Sequence, residues 1–405
     1  MKESNISKKI KYPQIFPLWI GLFVDILGFY IIIPFLPLFI KVFNTTPFVI
    51  GLILATNAFF TLIFAPIWGK VSDKIGRKPV LIISQMGTFS AFILLAFSDS
   101  ILMLFIARMV DGIFGGNFPM VKSIISDTVP PKDRGPQMAN VGVIHVLAGL
   151  AGPGVGGLLS TIKPLGSNYP IAAPGFGAAS LSFVSLMITI IFINESWPKE
   201  KRKYYQKHEK IKLNLRNNKD ATWLLVQYAF HTFSFTMYIA TLTIYIGLVL
   251  GLDTIGISIL LTISGISRAI IRFSLFNLTL KKLGENKTTI LGLFVLVITF
   301  LMIGFVRNVI EFLILAIFIS YGVSCSRGLL ISKVTQSVSP KEVGKINGYT
   351  TTLDSLAQIS GPIIGTLILS ILEYYWYGII LSLLSLVAFL MIFKKITLYH
   401  EKIKN

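Results

Sequence analysis

Acidic residues and cysteine are both scarce in this chain. Asp and Glu together number 18 of 405 residues, charged residues of all kinds make up 14%, and Cys325 is the single cysteine. A soluble domain carries about 25% charged residues, so the polar surface needed to cover even one large soluble core is missing. One thiol excludes an internal disulfide framework and a thiolate metal cluster. The four histidines, His145, His208, His231 and His400, are scattered singly and offer no zinc spacing. No G-x-x-x-x-G-K-[ST] loop for ATP occurs either. Neither a cofactor nor enzymatic chemistry is expected. What the chain has in quantity is apolar sequence, 54% hydrophobic residues with a mean hydropathy of +0.75. This is the composition of an integral membrane protein.

A helix needs about 20 apolar residues to cross the hydrocarbon layer. Twelve stretches qualify, approximately 16–40, 48–68, 79–98, 100–122, 137–161, 169–193, 221–247, 255–280, 288–306, 310–332, 343–371 and 374–393. In lipid only helices and closed barrels satisfy the backbone, and stretches such as Ile290–Phe305 lack the alternating polarity of barrel strands. An all-α membrane protein is expected. The first apolar run, Phe16 to Ile40, is too long for a cleavable signal and has no small-residue cleavage site.

Lys and Arg number 37, giving a formal net charge of +19, and their placement sets the orientation. Lys2, Lys8, Lys9 and Lys11 precede the first span; Lys70, Lys74, Arg77 and Lys78 join the second to the third; Lys122, Lys132 and Arg134 flank the fourth–fifth connection. The loop 194–220 is strongly basic, and Lys281, Lys282, Lys287, then Lys333, Lys341, Lys345, then Lys394, Lys395, Lys402 and Lys404 continue the alternation. The opposite connections hold Lys41, Lys163 and Arg307. Both termini are therefore expected on the cytoplasmic side of a multi-pass protein of the cell membrane. Charge dealt to every second loop also excludes nucleic acid as the partner, since a DNA binder gathers its charge on one face.

The chain repeats itself. Shifted by 209 residues, Val129, Pro131, Lys132 and Gly135 fall on Val338, Pro340, Lys341 and Gly344, and Ala148, Gly152, Pro153, Gly156 and Leu158 fall on Ala357, Gly361, Pro362, Gly365 and Leu367. Two six-helix bundles, residues 1–193 and 221–405, joined by the linker 194–220, explain this. Both begin on the same side, so the repeat is parallel, and such repeats place a substrate site at their interface near the midplane.

The connection from Gly69 to Val80 reads GKVSDKIGRKPV. It resembles the G-x-x-x-D-[RK]-x-G-[RK]-[RK] signature of the major facilitator superfamily, with Gly69, Asp73, Gly76, Arg77 and Lys78 at its fixed positions. The resemblance implies the two-bundle fold and a cytoplasmic gate in which Asp73 contacts the second half when the inside is closed. The duplicate loop, NLTLKKLGENKT, has no aspartate, so one latch is expected. Gly149, Gly152, Pro153, Gly156 and Gly157 in the fifth span resemble the G-x-x-x-G-P-x-x-G-G motif of the drug/proton antiporter group, offset by one residue at the first glycine. Small residues at this spacing let helices approach closely, and Pro153 removes a backbone bond. Arg108, Asp111 and Gly112 match the R-x-x-x-G pattern of the fourth span, and Val24–Phe39 is similar to the first span of tetracycline-efflux and vesicular-amine relatives. The resemblance implies an exporter.

Ionisable groups inside a bilayer are costly and are functional candidates by default. They are Asp25, Arg108, Asp111 and His145 in the first half, and His231, Arg268, Arg272, Arg327 and Asp354 in the second. A proton-coupled carrier needs an acid whose proton affinity responds to burial and to neighbouring charge. Asp25 is the expected proton carrier and Asp111 the second, with Arg108 the fixed charge that tunes them. Arg108 and Asp111 also lie three residues apart, the spacing of a local ion pair. Asp354 is expected to pair with Arg268 or Arg272. Aromatic residues of spans one and seven (Phe29, Tyr30, Tyr228, Phe230, Phe233, Phe235, Tyr238) suit an amphipathic or cationic ligand. The expectation is a monomeric secondary transporter in the lipid bilayer that exports a small amphipathic or drug-like compound in exchange for protons. The alternatives are a proton-linked importer of a sugar or organic anion, and a non-transporting membrane sensor or scaffold docking a partner on 194–220.

Overall fold

The computed structural model describes residues 12, 15–162, 169, 171–200, 215 and 218–394. Lys2, Lys8, Lys9 and Lys11, Lys163, most of the 194–220 linker, His208, His400, Lys395, Lys402 and Lys404 lie outside the described residues, as does the side chain of Lys132. Twelve helical segments are long and apolar enough to cross a membrane. The architecture is all-α, and no strand occurs among the described residues.

The helices are α1 (Phe16–Ile32), α2 (Leu36–Val42), α3 (Pro47–Ile75), α4 (Arg77–Ala96), α5 (Ile101–Ile113), α6 (Asn117–Thr128), α7 (Pro131–Leu159) and α8 (Ala172–Phe192). They continue with α9 (Lys219–Val249), α10 (Thr254–Phe273), α11 (Leu275–Ile303), α12 (Val309–Gln336), α13 (Val343–Ile371) and α14 (Tyr374–Leu390). The first span divides into α1 and α2 at a tight turn around Pro34, and the fourth divides into α5 and α6 at Gly115 and Gly116. Proline forfeits a helical hydrogen bond, yet α7 and α13 run on through Pro153 and Pro362.

Span boundaries read from hydropathy miss the polar helix ends. Helix α3 continues to Ile75, beyond the apolar stretch 48–68. The stretch 255–280 crosses a break at Ser274, where α10 gives way to α11. Gly76 and Gly284 take φ of 113° and 73°, a region that costs an L side chain energy and glycine little. The two sharp turns therefore fall at equivalent places, 208 residues apart in the numbering.

Helices α1, α4, α7 and α8 pack together, as do α9, α11, α12, α13 and α14. The main contacts between the helices of residues 1–193 and those of residues 221–405 are α3 on α13 and α7 on α10, with smaller ones of α9 on α2 and α3 and of α10 on the turn at Pro34. Residues 18 apart share a helical face, five turns and about 27 Å along the axis. On α3, Gly51 is packed so tightly that an added Cβ would meet Thr366 and the Pro362 carbonyl, while Gly69, on the same face, has open space before it. On α13, Thr366 makes that contact while Gly348, 18 residues earlier, faces nothing within 4 Å. The backbone N–H of Phe48 donates to Ser370 Oγ at 3.0 Å, satisfying a first-turn donor that a helix leaves unpaired. The groups of helices thus meet at the end carrying Phe48 and Ser370 and part at the lysine-rich end.

Candidate functional site

The break at Gly115 and Gly116 starts α6 at Asn117, facing α1 and α4. The Asn117 carboxamide donates to Asp25 Oδ2 at 2.7 Å and reaches Thr88 Oγ1 at 3.3 Å. Asp25 Oδ1 is buried with no hydrogen-bond partner among the described residues. One helical turn before the break, Arg108 Nη1 lies 3.4 Å from Asp111 Oδ2, and Asn57 Nδ2 donates to the same oxygen at 2.9 Å. Arg108, 6% exposed, also lies over the Phe29 ring at 5.9 Å. Phe29 lies one helical turn beyond Asp25 on α1. Asp25, Arg108 and Asp111 are therefore assembled in one neighbourhood.

Asp354 does not pair with Arg268 or Arg272. It accepts from Thr232 Oγ1 at 2.7 Å and Tyr228 Oη at 2.8 Å, and its cation is Arg327 at 3.4 Å. Helix azimuth decides this. The contact from Arg327 reaches α13, whereas Arg272 Nη1 donates to the Ser324 carbonyl at 3.4 Å and stacks over Phe276 at 4.7 Å. His145 Nε2 and Tyr30 Oη are 2.9 Å apart. His231 is 1% exposed, with Ser326 Oγ 3.4 Å from its Nε2. The pseudo-equivalent positions 145 and 354 thus carry different chemistry, an imidazole bonded to a phenol and a carboxylate held by two hydroxyls and a guanidinium.

At the lysine-rich end Asp73 pairs with Arg77 of its own connection at 2.7 Å, and Arg77 Nε also bonds Asp127 at 3.0 Å. Glu195 accepts from the backbone N–H groups of Arg77 (2.9 Å), Lys78 (3.2 Å) and Trp197 (2.8 Å). A carboxylate at a helix start satisfies orphan donors and the dipole together. The Trp197 ring lies under the Arg77 guanidinium at 5.4 Å, and Lys78 Nζ donates to the Ile190 carbonyl. Asp73, Arg77 and Lys78 are thus bonded to residues between 72 and 197, in keeping with a parted lysine-rich end.

The glycines of the fifth span serve two faces. A Cβ on Gly149 or Gly152 would meet Tyr30, and one on Gly156 would lie 2.3 Å from the Ile31 carbonyl oxygen, all toward α1. Gly157 instead abuts Ser258 on α10, and so does Gly154 with Thr262. Of the aromatic candidates, Tyr228 and Tyr238 are buried, Tyr238 against Phe300. Phe235 lies beneath Arg327 at 5.7 Å, and Phe29 is exposed.

Sequence reading passed over Asn57, Asn117, Asp127, Glu195 and Gly154. Asn57 and Asn117 carried a signal, since a carboxamide inside an apolar span needs a partner. Asp127 and Glu195 sit in polar surroundings where nothing marks them.

Twelve membrane-crossing helices with charged side chains packed inside them are the frame of a multi-pass transporter of small molecules rather than an enzyme. The chain belongs to the Major Facilitator Superfamily, whose family model matches residues 18–309 and 224–404. It is 25% identical over 380 residues to the multidrug resistance protein MdtG of Proteus mirabilis, covering 91% of each chain. It is 27% identical over 399 residues to the class H tetracycline resistance protein of Pasteurella multocida, covering 94% of each. The crystal structure of a D-xylose-proton symporter superposes with a TM-score of 0.73 at 15% identity, over 95% of this chain and 98% of that one. The human organic anion transporter MFSD10 (TETRAN) gives 0.69 at 20% identity, over 94% and 99%. At these identities the two solved structures speak for the fold.

Proposed function

We propose that this chain is a proton-driven exporter of small amphipathic compounds, working as a monomer in the cell membrane with both termini in the cytoplasm. Residues 1–193 and 221–405 act as two six-helix halves that rock about their interface, with 194–220 as the tether. The observation that carries the reading is Asp25, a carboxylate inside a membrane span with one oxygen held by Asn117 and the other buried and unpartnered. An ionised carboxylate there is costly, so protonation lowers the cost of moving it through the bilayer. Asp111, clamped by Arg108 and Asn57, is a neighbouring charge whose field Asp25 experiences. The lysine-rich end, cytoplasmic by the positive-inside rule, is parted and receives cargo from the cell interior. Resemblance to multidrug and tetracycline resistance proteins along nearly the whole chain supports export.

The test is transport by purified protein in liposomes, with tetracycline and ethidium as probes and a proton gradient imposed. Gradient-driven movement by the wild type that vanishes with a protonophore and in Asp25→Asn is expected. Unchanged gradient-driven transport in Asp25→Asn refutes the assignment. Accumulation of an organic anion along the proton gradient would replace export by import.

A further inference from the structure

Beside Asp25 the structure encloses a small cavity inside the first group of helices, between α1, α4, α6 and α8. Four polar side chains line it: Asp25, Gln85, Asn117 and Thr189. Each presents a buried atom without a hydrogen-bond partner among the described residues, namely Asp25 Oδ1, Gln85 Oε1, Asn117 Oδ1 and Thr189 Oγ1. Their other polar atoms are fixed. Asn117 Nδ2 is held by Asp25 and Thr88, and Gln85 Nε2 donates at 2.8 Å to Ser185 Oγ, which in turn donates to the Gly21 carbonyl at 2.9 Å. Buried polar atoms in native proteins are satisfied by protein or by ordered water, and these four lie against one small cavity with room for about one water. In the second half, Ser234 occupies the position 209 residues beyond Asp25, and its hydroxyl is matched by the Leu381 carbonyl and Ser385.

The cavity has a direction. From Asp25 its wall continues to Leu18 near the start of α1, Leu81 near the start of α4, and Ile193 just past the end of α8. These termini all lie at the lysine-rich end, and the three residues are at most 3% exposed. They form an apolar collar between the polar chamber and that surface. The charged and titratable groups on the surrounding helices lie at two levels. Toward the middle of the helices α5 brings Arg108 and Asp111, and α7 brings His145 bonded to Tyr30 of α1. At the lysine-rich end are Arg77 and Lys78 at the start of α4, Asp127 of α6 bonded to Arg77, Asp133 and Arg134 at the start of α7, and Glu195 just past α8, while Lys122 of α6 lies over Phe118 at 4.5 Å. Helix α8 itself brings none.

Resting on Asp25 as the proton carrier, we infer that its proton is exchanged with the lysine-rich side through this chamber, apart from the cleft between the halves that cargo uses. The step is a proton transfer: the Asp25 carboxylic acid gives its proton to water in the chamber and becomes a carboxylate. The resulting hydronium passes the collar to bulk water, which is the release step of a carrier that loads from the opposite side; run backwards, the same step protonates Asp25 when the lysine-rich side is acidified. Gln85 and Thr189 position the water and do not touch cargo. Cargo and proton then meet through the charge state of Asp25 while travelling by different roads.

The experiment uses the purified full-length chain in lipid nanodiscs, subjected to a pH jump and followed by time-resolved infrared spectroscopy. The protonated Asp25 band is the carboxyl signal that Asp25→Asn removes. Gln85→Leu combined with Thr189→Val should slow its rise at least about tenfold while leaving its final amplitude intact. A merely structural role would lower amplitude and melting temperature without a selective loss of rate. Should the double variant fail to fold, Thr189→Val alone, nearly isosteric, is judged by the same criterion. A band that rises at the wild-type rate in both variants overturns the route and leaves Asp25 as carrier. Finding no band that Asp25→Asn removes overturns the carrier and the route together.

Discussion

Thr366 Oγ1 occupies the place where a side chain on Gly51 would begin. The contact joins α3 to α13 at one end of the interface, and the same two faces are apart at Gly69 and Gly348. A bulkier residue at 51 therefore opposes closure of this end specifically. Gly51→Val should shift the population toward the form closed at the lysine-rich end. Labelling of a Gly348→Cys variant by a membrane-impermeant maleimide, applied from the lysine-rich side, should fall severalfold when Gly51→Val is added. Equal labelling in both backgrounds contradicts the rocking geometry.

The two faces of the α7 glycine series separate packing within a half from contact between halves. A methyl on Gly156 would run into the Ile31 carbonyl oxygen, and backbone cannot yield as a side chain does. Gly156→Ala should cost about 1–3 kcal/mol, read as a lowered melting temperature in detergent. Gly154→Ala meets the Thr262 hydroxyl at 3.2 Å across the interface. Its stability should stay within about 0.5 kcal/mol of wild type while ethidium transport slows. Equal melting temperatures for the two variants would erase the distinction.

Tyr228 is fully buried and donates to Asp354. Tyr228→Phe removes one of three partners of that carboxylate and should lower stability by about 1–3 kcal/mol, the cost of a lost hydrogen bond to a charged group. Arg268→Gln, which removes none of the three partners of Asp354, should leave melting unchanged. Chemical denaturation in mixed micelles checks both, and a destabilised Arg268→Gln beside a neutral Tyr228→Phe would contradict the assigned partners.

Glu195 accepts three backbone hydrogen bonds and so ties the end of the sixth span to the connection between α3 and α4. Glu195→Ala should cost about 0.5–2 kcal/mol and speed amide hydrogen exchange at Arg77 and Lys78. Exchange at the equivalent second turn, around Gly284, should not respond. Mass spectrometry of peptic fragments reads both, and unaltered exchange at residues 77 and 78 rejects the cap.

The twelve spans were legible because hydrocarbon thickness sets a length that hydropathy records directly. Gly76 and Gly284, aligned in the sequence at a shift of 208, both take positive φ at sharp turns, because glycine marks a backbone event that a sequence records directly. Partner choice was not legible. Asp354 chose Arg327 over Arg268 and Arg272 because rotation of a helix about its axis, invisible in a nearly all-apolar sequence, decides which guanidinium points inward. For the same reason the fifth-span motif gave Gly152 and Gly156 but not Gly154, whose neighbour belongs to the other half. Asn117 escaped notice because its significance depends on a helix break that turns it toward Asp25.

Cys325, on α12, is fully enclosed, its Cβ pressed toward Gly292 on α11. A sulfur sealed in this way is inert to aqueous alkylating reagents, which makes the native polypeptide its own blank. Spectroscopic probes can be installed one or two at a time at either mouth of the molecule, and every photon or spin echo they return will come from the engineered site.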